Sequence, residues 1–169
     1  MKLHKLPIHE RNTMTSTSPA RIDADAWSVT RTVRIDADRS RVWASITRPE
    51  LIAQWFGQSA TLDRLAVGGT GTFRWDGYND DFPVLIVEFD PETVFAYRWG
   101  RRDEPLRDDN STVARFTLSD DGDATLLTVV ETGFDNLAGD AAHRGSRLEE
   151  NRGGWDSELD ELVAFLTSA

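Results

Sequence analysis

AAHRGSRLEENRGGWDSELDELVAFL, Ala141 to Leu166, is the one long helical pattern in the second half of the chain. Leu148, Asn151, Trp155, Leu159, Leu162 and Leu166 recur at steps of three and four, the signature of a single helical stripe. Val163 and Phe165 widen that stripe at its end. Glu149, Glu150, Asp156, Asp160 and Glu161 fall mostly on the other side and form a wet face. From Arg144 to Leu166 such a helix is roughly 35 Å long, enough to cross a small sheet. Burying its four or five large side chains would stabilise the fold by about 1.5–3 kcal/mol each. Gly153-Gly154 in the middle works against this, since each glycine costs about 1 kcal/mol relative to alanine. One reading of the pair is a kink or a close approach to the sheet. The other is a gap in the packing that leaves room for a ligand beneath the helix.

Working outward, 169 residues suit one domain with a proper core. No apolar run approaches the ~20 residues of a membrane span. The segment before Trp27 lacks the apolar centre of a secretory signal. A cytoplasmic protein without a membrane role is expected. The formal charge is −10, from 29 acids and 19 bases. Residues 1–25 hold four bases and three acids, which leaves 15 bases against 26 acids, a net −11, in the remainder. A body this acidic repels phosphate backbones and anionic lipid, so nucleic acid is not an expected partner.

The absences narrow the chemistry further. Without cysteine there is no thiol nucleophile, disulfide or thiolate metal site. Both lysines, Lys2 and Lys5, lie in the first five residues, so the body has no Schiff-base lysine. His143 is its one histidine, and a histidine metal cluster cannot be assembled. No cofactor, metal site or catalytic residue is assigned, and the reading leans away from an enzyme.

Residues 1–26 mix Thr, Ser, Pro and charges without apolar periodicity, and are read as a disordered extension. Met14 inside it offers a second start. The pentapeptide RIDAD at Arg21–Asp25 and Arg34–Asp38 is too short to be a repeat unit. Residues 27–169 form the domain. Trp27 to Asp36 alternates Val29, Val33 and Ile35 with polar residues and is a strand. Arg31 breaks its apolar side and is read as a strand end near solvent. Asp36 or Asp38 caps a short helix whose inner face is Val42, Trp43 and Ile46. Pro49 opens a second one through Leu51, Ile52 and Trp55-Phe56, ended by Gly57.

Six strand-like segments follow: Ser59–Leu65, Thr70–Asp76, Phe82–Phe89, Thr93–Trp99, Ser111–Leu118 and Ala124–Glu131. Their turns are Val67-Gly68-Gly69, Asp76-Gly77, Asp90-Pro91 and Asp121-Gly122. Such spacing predicts an antiparallel meander. Arg101 to Asn110 is charged and is read as an exposed loop.

One strand, two short helices, six strands and a long C-terminal helix make an α+β helix-grip arrangement. The chain resembles the START-like (SRPBCC) superfamily, and within it the bacterial homologues of the activator of heat-shock protein 90 ATPase. Four stretches carry the likeness: VWASITRPELIAQWF (Val42–Phe56), DPETVFAYRW (Asp90–Trp99), VVETGFDNL (Val129–Leu137) and NRGGWDSELDELVAFL (Asn151–Leu166). The resemblance implies a curved seven-stranded antiparallel sheet gripping the long helix, with a cavity between them.

Candidate chemistry is sparse. Gly68-Gly69-Thr70-Gly71 precedes a strand rather than opening a helix after Gly-Lys-Ser/Thr, so it is a hairpin turn and no phosphate cradle. Trp43, Trp55, Phe56, Phe73, Trp75, Phe95, Tyr97, Trp99, Phe116 and Trp155 exceed the aromatic needs of a plain core. With Gly154 and Leu159 they are the candidate cavity residues, suited to a small apolar or aromatic molecule. Arg74 and Arg98 point to solvent if the aromatic side of their strands faces inward; in the opposite register they could hold a carboxylate. Glu131, Asp135 and His143 are the nearest approach to an acid/base set, against the alternative of a solvated strand end and helix entrance.

Two functional classes stand: a binding module for such a molecule, extending to a cyclase- or hydrolase-type enzyme, and an interaction protein acting on a chaperone ATPase. The first is favoured, because the extension has no room for the separate N-terminal domain of the eukaryotic activators. A homodimer is expected from the frequency of twofold dimers.

Overall fold

The computed structural model describes residues 18–77, 80–100 and 104–168, with Asp80 described by its backbone alone. The alternating patterns become eight strands: β1 (Arg21–Asp23), β2 (Ser28–Ile35), β3 (Ser59–Leu62), β4 (Thr70–Trp75), β5 (Asp80–Asp90), β6 (Val94–Gly100), β7 (Ser111–Asp121) and β8 (Ala124–Thr132). They form one antiparallel sheet in the order β1-β2-β8-β7-β6-β5-β4-β3. Strand β8 returns to pair with β2, so the first and last strands of the expected seven lie side by side. A register shift between Ile86 and Glu88 places a bulge in β5, where an extra residue bends a strand.

Helix α1 (Arg39–Thr47) begins at Asp38, whose side chain accepts from the Arg41 N–H at 2.9 Å. Helix α2 (Pro49–Ile52) stops well short of Phe56, and the chain then turns through Gly57 at φ +73°. The Trp55 indole donates to the Ser45 carbonyl at 2.8 Å and ties the two short helices together. Helix α3 (Ala141–Thr167) runs unbroken through Gly153-Gly154. Its N-cap is Asp140, which accepts from the His143 N–H at 2.8 Å. Leu148, Trp155, Leu159, Leu162 and Leu166 are buried, so the stripe faces the sheet as its spacing requires.

Two expectations about the first strands need correction. An eighth strand exists: β1 pairs with Ser28–Thr30 of β2 and lies inside the expected extension, which therefore cannot run to residue 26. Three residues without apolar alternation give no strand signal, and β1 is held instead by its neighbours. The Ala20 N–H donates to the Asp156 carboxylate of α3 at 2.6 Å. Residues 1–17, the remainder of that extension, lie outside those described.

Nor is Arg31 a solvated strand end. It shares the inward phase of Val29, Val33 and Ile35, and is 3% exposed. Its guanidinium donates to the helix carbonyls of Trp155 (3.1 Å) and Asp156 (2.7 Å), to the Ser18 carbonyl (3.0 Å) and to the Asp160 carboxylate (2.6 Å). One buried cation thus fastens the segment at Ser18, β2 and α3 to one another. Starting the chain at Asp25 removes Ser18, Ala20 and all of β1. Such a chain is expected to melt about 2–8 °C lower, as ~1–2 kcal/mol would do in a domain of this size. An unchanged melting temperature would make β1 an ornament.

Candidate functional site

The inward positions near one end of the sheet carry polar residues where apolar ones would continue the pattern. In β8 the inward series Leu127, Val129 is followed by Glu131, which has no exposure to solvent. In β7, Thr112 precedes Ala114, Phe116 and Leu118 in the same phase. In β6, Trp99 follows Phe95 and Tyr97, and it pairs with Thr112. From α3 the stripe contributes Asn151 and Trp155.

These side chains converge on one carboxylate. Glu131 Oε1 accepts from Trp155 Nε1 at 2.8 Å and Asn151 Nδ2 at 3.0 Å. Its Oε2 accepts from Thr112 Oγ1 at 2.6 Å, Trp99 Nε1 at 2.9 Å and Asn151 Nδ2 at 3.1 Å. Burying a carboxylate is tolerable when its lone pairs are filled in this way. Every one of these partners is a neutral donor. Two of them are indoles, so the network fixes the orientation of both rings.

Above the network lies a cavity of about 370 Å³. Its aromatic walls are Phe56, Trp75, Phe82, Trp99 and Trp155, and Gly154 and Glu158 of α3 look onto it. Phe56 organises these walls: it stacks on Trp155 (5.7 Å, 12°) and meets Trp75 edge-on (4.8 Å, 76°). Asn110, Ser111 and Thr112 add polar groups from the start of β7. Arg147 and Glu150 stand at the helix side, paired with each other at 3.3 Å.

Glu158 is the electrostatic oddity. Its carboxyl is pushed up to about 7, first by burial and then by the charge of Glu161, against a hydrogen bond from Trp75 that pulls it down. Its Oε2 is buried and without a hydrogen-bond partner among the described residues. An acid raised from 4.5 to about 7 keeps its proton in the fold where the unfolded chain has lost it. Stability from this group is therefore lost as pH rises from about 4.5 to about 7. Glu158→Gln removes that slope. Its melting temperature should exceed the parent's at pH 8, with the gap closing towards pH 5; parallel pH profiles would contradict the assignment.

Of the candidate residues, Phe56, Trp75, Trp99, Gly154 and Trp155 border this cavity. Trp43, Trp55, Phe73, Phe95, Tyr97, Phe116 and Leu159 do not. They belong to or pack against the core, where the middle of the sheet meets the helices and the rings contact one another. The close-approach reading of Gly153-Gly154 fails as well, because a Cβ on either glycine would meet nothing within 4 Å. Gly154→Ala is thus expected to raise stability by up to about 1 kcal/mol in urea unfolding. A loss instead would mean that the helix cannot accept a side chain there.

Arg74 and Arg98 point away from the cavity, towards Asp81 (3.8 Å) and Asp108 (3.7 Å), as the inward aromatic register requires. Glu131, Asp135 and His143 are not brought together as an acid/base set. Asp135 and His143 are exposed, whereas Glu131 is the buried hub rather than a solvated strand end. Sequence reasoning missed Glu158, Thr112 and Asn110 outright. The available signal was the polar residue in an apolar phase, seen in Thr112, Glu131 and Asn151 alike.

A long helix laid across an antiparallel sheet is the helix-grip architecture of the START-like superfamily. Residues 36–167 match the family model described as "Activator of Hsp90 ATPase homolog 1-like protein", and the chain belongs to that family. Comparison with curated protein sequences gives no match. Among solved structures, CalU16 from Micromonospora echinospora is 23% identical, with 88% of this chain and 83% of that one covered and a TM-score of 0.63. Ms6760 from Mycobacterium smegmatis is 20% identical over 90% and 98%, with a TM-score of 0.68. The Aha1 dimer from Colwellia psychrerythraea is 14% identical over 82% and 95%, with a TM-score of 0.65. No helix among the described residues is long and apolar enough to cross a membrane.

Proposed function

We propose that this protein is a START-like binding protein that holds a small aromatic or apolar molecule between the sheet and α3. The observation carrying this reading is the cavity of about 370 Å³ walled by Phe56, Trp75, Phe82, Trp99 and Trp155. Ligand sites are commonly apolar clefts of ~300–1,000 Å³ with a few placed polar groups, and this one falls within that range. Two of its walls are held by the Glu131 network, so the shape exists before a ligand arrives and less ordering free energy is lost on binding. Gly154 leaves the helix side open, and a larger side chain there would occupy the ligand's place.

Native mass spectrometry of the protein purified from its own host tests the reading. A retained small molecule, displaced in Gly154→Leu, is the expected result. Bare protein that no aromatic compound stabilises against heating would oppose it. The interaction-protein reading rests on the family description alone. Stimulation of a chaperone ATPase by ligand-free protein would favour it.

A further inference from the structure

We infer that the cavity selects a cationic ligand, an aromatic or planar molecule bearing a protonated amine, which Glu158 receives against the Trp75 and Phe82 walls. This rests on the binding reading above and names the chemistry of its ligand.

Three observations lead there. First, the buried Oε2 of Glu158 lacks a partner among the described residues, although an oxygen out of water ordinarily has one. A donor from a ligand would complete it. Second, the charges around the cavity do not balance. Among the described residues, Arg147 is its one basic lining residue, and it is paired with Glu150. Glu131 beneath has neutral partners throughout. The buried Tyr97 hydroxyl, raised well above its usual range by burial first, is raised further by the charges of Glu131 and Glu158. The described lining is therefore net negative, with one base against Glu150 and Glu158, and a cation entering it is attracted. Third, the walls are the right kind. Trp75 meets Phe82 edge-on (5.3 Å, 90°), and Trp99 lies within 6.5 Å of both rings. Indole and phenyl faces carry negative quadrupoles that attract ammonium groups, most strongly where water is excluded. A carboxylate beside such rings favours an ammonium over a neutral or anionic group of the same shape.

Burial, the charge of Glu161 on its own helix and a hydrogen bond from Trp75 of the sheet set the ionisation of Glu158, and the Tyr97 hydroxyl senses that charge from the sheet. Binding of a cation should strengthen as Glu158 ionises. For a ligand charged throughout, affinity rises between pH 6 and pH 8 by up to about tenfold, the change in ionised fraction of an acid titrating midway.

Calorimetric titration with three matched probes tests this: phenethylamine, 2-phenylethanol and phenylacetate, against the parent and Glu158→Gln, each checked for an intact melting transition. The expected order in the parent is amine, then alcohol, then carboxylate. The amine should lead the alcohol by tenfold or more at pH 8, and that lead should collapse in Glu158→Gln. If the alcohol binds as tightly as the amine, or the lead survives in Glu158→Gln, the cationic assignment is overturned and the cavity reading stands. If none of the three binds at millimolar concentration, both fall together.

Discussion

Glu131→Ala is expected to remove about 3–5 kcal/mol of stability, the largest loss of any single substitution at the site. The carboxylate occupies four donor side chains: Trp99, Thr112, Asn151 and Trp155. Each donor left buried and unsatisfied costs about 1–3 kcal/mol, and water entering the vacated space recovers part of that. Small domains hold only about 5–15 kcal/mol in all, so this variant sits near the threshold of folding. Glu131→Gln gives the more informative comparison. It keeps one acceptor oxygen but turns the other into a donor facing donors, and about half of the loss should follow. Urea unfolding measures both. A cost below about 1 kcal/mol for Glu131→Ala would mean that the network is not what holds the two indoles.

The second large effect belongs to Arg31. Arg31→Ala loses the bonds to the α3 carbonyls, to Ser18 and to Asp160, together with the packing of the side-chain stem, and should cost about 2–4 kcal/mol. Arg31→Met keeps the stem and should cost about half as much. Asp160 is 66% exposed and stays hydrated without its partner, which limits the damage. Both variants should cut faster in limited proteolysis ahead of β2, because the Ser18 anchor is gone. Equal costs for Met and Ala would assign the whole effect to the guanidinium and none of it to the stem.

The seven longer strands and α3 were legible because their alternation and stripe are strong local signals. The bounds expected for Thr70–Asp76 and observed for Thr70–Trp75 differ by one residue. Strand β1 was not legible, since a three-residue strand depends on its pairing with β2 and on Ala20 reaching Asp156. Arg31 misled for a related reason. A charged residue in an apolar phase means solvent unless a partner waits inside, and the partners here lie 124 and 125 positions away in the sequence. Glu131 and Thr112 lay at strand ends and Asn151 within the helical stripe, with no local signal joining the three. Only the strand order, which sets β6, β7 and β8 side by side beneath α3, makes them one network. The cavity was harder still. Aromatic content identified the class of wall, but Phe95 and Trp99 alternate alike along β6, and the end of the strand on which each falls separates core from cavity.

That separation makes the cavity claim directly measurable. The chain has six tryptophans, and each indole N–H gives its own signal in a nitrogen–proton correlation spectrum. Titration with 2-phenylethanol or phenethylamine should move the Trp75, Trp99 and Trp155 signals, whose rings wall the cavity, and leave Trp43 and Trp55 in place. Shifts confined to Trp43 and Trp55, or no shift with either probe, would contradict a ligand site between the end of the sheet and α3.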